Sequence, residues 1–416
     1  MTFAGTSNHI MFVRDSLKNI DYQTIEAAEN MGVKGRRILT KVVLPVLKPS
    51  IFAASILTFI VGVSAFATPQ VLGGEEFETI NPLVRSFSRT LTTRNYAAVL
   101  ALLLGIITIL VLVITNHIEK KGNYVSISKV KTPLKKTKIQ NPVLRWIVTV
   151  AAHIIALIQT VPLLFVFIFS FMTAGDLYAG EMNIKNFTLN NYLMVINSTT
   201  GLRPVLTSMV YSGLSAVLVV GFMLVIARII TKYNNKLTGT LELFLQIPWF
   251  LPVTLIALGL IMTFDRPNIL TFGLTLTGTV YIMLIGYIII RLPYTLRMIK
   301  AAYAGIDNSL EEAAKNLGAS TVKTYIKVIF PIIWPEVLSV FLLNFIQQLS
   351  EYNVSVFLFH PMFQPLGVML NVATGADSTP ESQMMSFVYS VIIMVVSIVI
   401  ISFVYGRKSA TLKKRQ

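Results

Sequence analysis

Apolar residues occur along the chain in eight runs, each close to the length that an α-helix needs to cross the roughly 30 Å apolar core of a bilayer. The runs fall near residues 49–67, 97–117, 146–172, 206–227, 239–263, 276–292, 337–358 and 385–404. They predict helices, because a segment that faces lipid must satisfy its backbone hydrogen bonds within itself. Pro248 and Pro252 interrupt the fifth run and predict a kink in that helix.

Composition supports the same fold class, an all-α integral membrane protein with about eight transmembrane helices. Hydrophobic residues make up 54% and charged residues 13% of the 416 residues, whereas soluble domains carry about 25% charged residues. The chain has no cysteine and four scattered histidines, which excludes disulfides and cysteine metal sites and argues against a histidine metal cluster. We expect no catalytic residue, no bound metal and no cofactor.

The formal net charge of +16 would suggest nucleic acid in a soluble protein, but here it follows the two sides of the membrane. With the N-terminus placed inside, the inner loops and termini carry +19 and the outer loops carry −2. Cytoplasmic loops of membrane proteins collect Lys and Arg. Both termini and the basic segment 118–145 are therefore predicted to be cytoplasmic, and no nucleic-acid partner is expected.

A thirty-residue segment occurs twice at an offset of 286 residues, each time on the predicted inner side and before a span. Residues 20–49 read IDYQTIEAAENMGVKGRRILTKVVLPVLKP, and residues 306–335 read IDNSLEEAAKNLGASTVKTYIKVIFPIIWP; eleven of the thirty positions are identical. Duplicated units of transporters show weak internal symmetry of this kind. A solvated amphipathic loop is the alternative interpretation, but it does not explain two copies at one offset.

Each copy predicts a short helix, a turn and a second helix beside the membrane. Asp21 and Asp307 stand at the N-cap position, and Gly32 and Gly318 suit the left-handed conformation that ends a helix. The paired alanines between them leave a smooth face that another protein can approach closely. The later prolines are expected to mark the entry into the next span.

The pattern Glu-Ala-Ala, three residues, Gly and a later apolar-Pro resembles the signature cytoplasmic loop of binding-protein-dependent ABC importer permeases. The resemblance covers essentially the whole chain and implies the type I ABC importer permease fold with two pseudo-repeated halves. In that family the loop is the coupling helix, which docks in a groove of an ATPase subunit. The residues that would contact the two ATP-binding cassette subunits are Glu26, Ala27, Ala28 and Gly32 in one copy and Glu312, Ala313, Ala314 and Gly318 in the other.

The same resemblance implies an extracytoplasmic solute-binding protein as a partner and the cytoplasmic membrane of a prokaryote as the location. ATP hydrolysis is expected on separate subunits, because the chain has no G-x-x-x-x-G-K-[ST] loop. The chain itself is therefore not expected to be an enzyme. The alternative class is a secondary transporter driven by an ion gradient, which would also show repeats but would not need docking helices.

Two fused halves in one polypeptide resemble the ferric-iron, aminoethylphosphonate and some thiamine or polyamine permeases. The segment 66–74, FATPQVLGG, is similar to the ferric-iron branch, so ferric iron is the expected solute. Related branches share this segment, which leaves the other solutes open.

The offset also predicts an unequal division of the chain. The predicted parts are an incomplete first half with two spans (1–117), a basic linker (118–145), a complete six-span half (146–406) and a basic tail (407–416). Because Met1 aligns with Tyr287, the first half lacks counterparts of four spans. These spans are expected upstream of Met1 or on another polypeptide.

Glu351, with Gln347 and Gln348 about one turn before it, is the candidate for the transport pathway. A carboxylate inside a membrane is costly and usually faces a cavity or a partner; the alternative is a Glu near the outer end that reaches the headgroups. The first copy has Ala65 at the position of Glu351, so the fold shared by the two halves does not require a carboxylate there. Arg291 is expected to be a snorkelling anchor at an inner end.

Overall fold

The computed structural model describes residues 2–17, 20–63, 65, 68–69, 79–121, 139, 141–233, 235–373 and 378–413, and the structural statements below concern these residues. They form helices joined by short turns, with no β-strand among them. The predicted all-α fold class is confirmed.

Within the described part of the first 121 residues there are six α-helices: α1 (Thr2–Leu17), α2 (Tyr22–Asn30), α3 (Gly35–Ile38), α4 (Leu44–Val63), α5 (Ile80–Ser88) and α6 (Arg94–Lys121). The described residues that follow form α7 (Pro142–Phe169), α8 (Ala174–Ala179), α9 (Asn190–Asn197), α10 (Thr199–Tyr233), α11 (Lys236–Phe250), α12 (Val253–Phe264), α13 (Val280–Ala304), α14 (Asn308–Asn316), α15 (Thr321–Thr324), α16 (Phe330–Leu349), α17 (Ser355–Leu358), α18 (Leu366–Val372) and α19 (Pro380–Lys413).

Six helical stretches of the described residues are long and apolar enough to cross a membrane: α6, α7, α10, α13, the stretch Thr321–Leu349 and α19. Two helix pairs pass the same test together but are bent, by 54° between Gly35–Lys48 and Ser50–Val63 and by 107° between α11 and α12. Counting each bent pair as one span gives eight, the number that the sequence predicts. The fifth apolar run is therefore a broken helix rather than a kinked one.

The duplication extends far beyond the thirty residues in which the sequence reveals it. Adding 286 to the bounds of α2, α3 and α4 gives the bounds of α14, α15 and α16. The same offset moves the first residue of α5 onto the first residue of α18, and the first residue of α6 onto that of α19. It moves α1 onto the later part of α13. One offset, without insertion or deletion, relates the first segment to residues 288–407.

In each copy a π-helical turn, Leu39–Val43 or Tyr325–Ile329, joins the short second helix to the span. In the second copy Pro331 lies at the start of α16, as predicted, and Pro335 lies about one turn further along the same helix. A proline removes one backbone bond and its ring needs room at the preceding turn. The wider π turn directly before Pro331 supplies that room.

The helix α16 ends at Leu349, nine residues before the end of the predicted run. The carbonyl of Glu351 lies outside the helical ladder and accepts hydrogen bonds from the hydroxyls of Ser355 at 2.6 Å and Tyr287 at 3.5 Å. Gly367 of α18 packs on this turn, where a Cβ would lie 2.6 Å from the Glu351 carbonyl oxygen. Glu351 therefore follows the helix instead of lying within a span.

Helices extend into both ends of the segment 118–145, while the predicted division of the chain into two halves stays a prediction. The helix α6 runs to Lys121, past the predicted limit of the first half, and α7 begins inside the predicted linker at Pro142. Asn141 starts α7 because its side-chain oxygen accepts the amides of Val143 at 3.0 Å and Leu144 at 3.2 Å. Most of the linker, most of the segment 66–74 and the last three residues of the tail lie outside the described residues.

The main core lies between α10, α13 and α16. Buried apolar side chains such as Met223, Ile299 and Ile333 pack there. The first segment docks on the second through Ala97 and Ala101 of α6, which pack against Leu258 of α12. These contacts hold the two repeats together in one body.

Candidate functional site

Each repeat loop begins with a capping aspartate. The Asp21 carboxylate accepts the amide of Gln23 at 3.1 Å, and the Asp307 carboxylate accepts the amide of Ser309 at 2.9 Å. The backbone and side-chain hydrogen bonds from Ser309 hold the pKa of Asp307 below its ordinary value. Both predicted N-caps are confirmed, and they fix where each loop helix starts.

Each loop helix ends at a glycine in the left-handed region, with φ of 76° at Gly32 and 79° at Gly318. The amides around each glycine turn back to carbonyls of the last helical turn, in the same pattern in both copies. Glycine adopts this conformation without the steric cost that a side chain would add. The predicted caps are confirmed, and the two loops have one backbone geometry.

The candidate contact residues do not all point outward. Those exposed to solvent are Glu26, Ala27, Gly32, Glu312, Ala313 and Gly318. In contrast, Ala28 is only 6% exposed and Ala314 is half-buried. Neighbouring residues of an α-helix are turned about 100° apart, so the two alanines of each copy face different surroundings. Ala27 and Ala313 are therefore exposed to a partner, Ala314 is partly exposed, and Ala28 is not.

Met31 and Leu317 are the exposed residues that the sequence reasoning missed. They occupy equivalent positions directly before the glycines, and 76% and 88% of their surfaces are exposed. A single exposed apolar side chain is ordinary, but an exposed apolar side chain at the same position of both loops makes the pair a candidate for contact with another protein. Their shared apolar character at one position of the repeat was the available signal.

When each bent helix pair is counted as one span, the two loops lie at the same end of the molecule, which we call the loop face. On this count six crossings separate them along the chain, formed by α3–α4, α6, α7, α10, α11–α12 and α13. An even number of crossings returns the chain to the side on which it started. The other end, which we call the opposite face, carries α5, α8, α9, α18 and the turn between α12 and α13.

Arg291 lies near the middle of α13 and turns towards α16. Its guanidinium donates to the side-chain oxygen of Gln347, donates to the Gln347 backbone carbonyl at 3.3 Å and lies 4.0 Å from a Glu351 carboxylate oxygen. The side chains of Arg291 and Glu351 are 16% and 13% exposed. The expected snorkelling anchor at an inner end is therefore wrong, because the guanidinium finds its acceptors within the protein.

Gln348 points away from Gln347 and Glu351. It is fully buried, its amide donates to the Tyr287 carbonyl at 2.9 Å, and its side-chain oxygen accepts a bond from the Ser215 hydroxyl. Gln348 thus links α16 to α13 and α10, while Gln347 and Glu351 stay beside Arg291. The three candidate pathway residues fall into two environments.

Three polar contacts join the first segment to the second on the side of the opposite face. The pairs are Arg85–Tyr352 at 3.0 Å, Asn81–Thr254 at 2.9 Å and Arg94–Asp265 at 2.6 Å. Burial lowers the pKa of Arg85, and the neighbouring Tyr352 partly offsets this effect. The sequence carried no signal for these pairs, because their members lie more than 170 residues apart.

Known proteins share this sequence pattern. Residues 3–122 and 218–407 match the family described as binding-protein-dependent transport system inner membrane component. The probable ABC transporter permease protein y4fN of Sinorhizobium fredii is 35% identical over 96% of this chain and 70% of its own length. The ferric transport system permease protein FbpB of Actinobacillus pleuropneumoniae is 25% identical over 86% of this chain and 50% of its own. The spermidine/putrescine transport system permease protein PotC of Haemophilus influenzae is 28% identical over 54% of this chain and 84% of its own.

A solved bacterial ABC transporter involved in the import of the acidic polysaccharide alginate aligns with a TM-score of 0.52 at 14% identity, over 64% of this chain and 95% of that one. At such low identity the likeness shows a shared fold. The chain spans 70% of the length of y4fN and about half of that of FbpB. Because the family match includes both copies of the repeat and most of the chain, the protein belongs to the binding-protein-dependent transport system inner membrane component family and is a permease subunit of the ABC transporter class.

Proposed function

We propose that this chain moves a solute into a prokaryotic cell across the cytoplasmic membrane, by alternating access driven by ATP. The observation that carries the proposal is the pair of loops with one geometry on one face, each with an exposed apolar side chain beside its glycine. Two equal docking elements on one face fit two ATP-binding cassette subunits. ATP is hydrolysed on those subunits, and a solute-binding protein delivers the solute to the opposite face.

The proposed docking surface of each loop consists of its exposed residues. These are Glu26, Ala27, Met31 and Gly32 in the first loop and Glu312, Ala313, Leu317 and Gly318 in the second. Ala28 and Ala314 are less exposed than Ala27 and Ala313 and are not part of the proposed surface. Because the helix after each loop continues into a span, a displacement of the loop is passed to the membrane helices.

The loop face, both termini and the linker 118–145 are cytoplasmic in this proposal. The support comes from the distribution of charge, since Lys and Arg accumulate in the segments on the loop-face side. The opposite face then meets the solute-binding protein.

We place Gln347, Glu351 and Arg291 beside the transport pathway, with Gln348 as their buried support. The support is the charged pair of Arg291 and Glu351, whose side chains are partly exposed. The pair lies next to Tyr352, which contacts the first repeat. A cationic solute would compete with Arg291 for Glu351, and an anionic solute would compete with Glu351 for Arg291. The effect of neutralising each residue therefore depends on the charge of the solute.

Ferric iron is the solute that we propose, and the similarity to FbpB supports it. The probable sulfate transport system permease protein cysT of Prototheca wickerhamii, 30% identical over 32% of this chain, and PotC are also relatives. Among the alternatives within the same class, PotC supports a polyamine, while aminoethylphosphonate and thiamine rest only on the resemblance to permeases with two fused halves.

The test is uptake of radiolabelled ferric iron by right-side-out vesicles that contain the chain with its companion ATPase and binding protein. Ala27→Arg and Ala313→Arg should each reduce ATP-dependent uptake about tenfold or more, because overpacking a close contact costs about 1–3 kcal/mol. Ala27→Ser and Ala313→Ser are the matched controls, because a single hydroxyl at the same two positions adds little bulk and no charge, and uptake should not change.

Normal uptake by both loop variants would show that these loops do not dock an ATPase. Uptake that survives ATP depletion but stops with a protonophore would instead identify a carrier driven by an ion gradient.

A further inference from the structure

The second repeat loop is held to the membrane helices by a polar cluster. Arg228 of α10 forms an ion pair with Glu311 of α14, and the two side chains are only 22% and 19% exposed. The Arg228 guanidinium lies 5.6 Å from the ring centre of Tyr303 on α13, within the range of a cation–π contact. The Tyr303 hydroxyl in turn bonds the carbonyl of Leu224 at 3.0 Å and the hydroxyl of Tyr325 at 2.8 Å.

The cluster connects four elements in one place: α10, α13, the loop helix α14 and the π turn before α16. It lies at a groove of about 650 Å³ on the loop face, which also exposes basic side chains of α10, α13 and α14. Tyr303 is 4% exposed, so its hydroxyl bonds are shielded from water. Polar contacts of this kind fix the relative position of the elements they join.

Three of the four residues of the cluster have a counterpart within this chain, and all three counterparts are apolar. At the offset of 286, Glu311 corresponds to Ile25, Tyr303 to Leu17 and Tyr325 to Leu39. None of these three side chains can form an ion pair or donate a hydrogen bond. The two loops share a backbone geometry but not this attachment.

We propose that the cluster of Arg228, Tyr303, Glu311 and Tyr325 is a tether that positions the second loop and makes it move as one body with α10 and α13. The first loop carries no such tether on its counterparts. The inference deepens the proposed function and depends on it for its role in transport, because a tethered loop transmits the displacement of its ATPase directly to α10.

The tether itself is tested without transport, by backbone amide hydrogen exchange of the full chain in lipid nanodiscs. Glu311→Gln and Arg228→Gln should each accelerate exchange at residues 308–319 about tenfold. Residues 22–33, the equivalent loop in the same molecule, should keep their rates and serve as the internal control. The charge exchange Arg228→Glu with Glu311→Arg should restore slow exchange.

Tyr325→Phe is the milder variant, because it removes one hydroxyl and keeps the ring. It should accelerate exchange in the same residues, by less than the loss of the ion pair does. Unchanged exchange at 308–319 in all three variants, or no recovery in the charge exchange, would overturn the tether.

The role in transport is measured separately, with spin labels on Asn316→Cys and Tyr233→Cys in the complex with the companion ATPase. The chain has no other cysteine. In the otherwise unchanged chain the distance between the labels should stay constant when ATP binds, and in Glu311→Gln it should change. A distance that changes equally in both would refute rigid movement, whereas failure of the ATPase to bind would count against the proposed function and leave the exchange result standing.

Discussion

Arg85 and Asn371 occupy the same position in the two copies of the duplication, and both contact the hydroxyl of Tyr352. The Arg85 guanidinium donates to this hydroxyl at 3.0 Å, and the hydroxyl donates to the Asn371 side-chain oxygen at 2.7 Å. Equivalent residues of the two repeats therefore meet at one contact. The contact lies on the side of the opposite face, where the proposed alternating access would require the two halves to separate.

Removal of the Tyr352 hydroxyl should loosen this contact. Tyr352→Phe keeps the ring but leaves the Arg85 guanidinium without this partner, and a hydrogen bond to a charged group contributes about 1.5–3 kcal/mol. Amide exchange in α5 should therefore accelerate about tenfold or more. Tyr281→Phe is the control, since that tyrosine is 63% exposed. Equal exchange in the two variants would mean that Tyr352 does not hold the first segment.

The orientation of the chain is measurable with single cysteines, because the natural sequence has none. Tyr178→Cys and Ile269→Cys lie on the opposite face at residues that are 83% and 92% exposed. A maleimide that does not cross membranes should label both in intact cells. It should label Leu317→Cys, at a residue that is 88% exposed, only after the cells are opened. The reverse pattern would place the loop face outside.

Arg291 and Glu351 should show energetic coupling in a double-mutant cycle. Each of Arg291→Gln and Glu351→Gln should destabilise the protein by about 1–2 kcal/mol, because each leaves a mostly buried charge with one partner fewer. The double variant should be more stable than the sum of the two effects predicts, by about 0.5 kcal/mol or more. Thermal unfolding in detergent measures this, with the exposed Glu381→Gln as the neutral control. Strict additivity would show that the two groups do not interact.

The cap of the first loop helix should be worth about 1 kcal/mol. Asp21→Ala removes the acceptor of the Gln23 amide and should accelerate amide exchange in α2 about fivefold. Asp21→Asn keeps an acceptor in the same place and should retain most of the protection. If the two variants exchange alike, the negative charge matters and the hydrogen bond does not.

The sequence predicted the features that depend on neighbouring residues. The number of spans followed from the length of the apolar runs, and the loop caps followed from Asp21, Gly32 and their counterparts. The environments of individual side chains depend on tertiary contacts, which the sequence does not show. Arg291 looked like an anchor because its acceptor, Gln347, comes from another helix, 56 residues away.

The same limit explains the loop alanines and the end of α16. Whether Ala28 or Ala27 faces outward depends on how the loop helix lies on its own chain, which the motif does not encode. The end of α16 at Leu349 depends on partners in α13 and α18 for the Glu351 carbonyl. An apolar run alone shows neither contact.

Because a single offset of 286 relates the two copies, the connection from loop glycine to the end of the span has the same length in both. From Gly32 to Val63 and from Gly318 to Leu349 the chain takes the same number of residues through the same order of helix, π turn and helix. A displacement of given size at either loop would therefore be transmitted through the same number of residues. What differs is the attachment of each loop, since Glu311, Tyr303 and Tyr325 have the apolar counterparts Ile25, Leu17 and Leu39. If the proposed polar cluster holds the second loop more rigidly than the first, equal displacements at the two loops would pass through connections of unequal stiffness. The second half would then respond before the first.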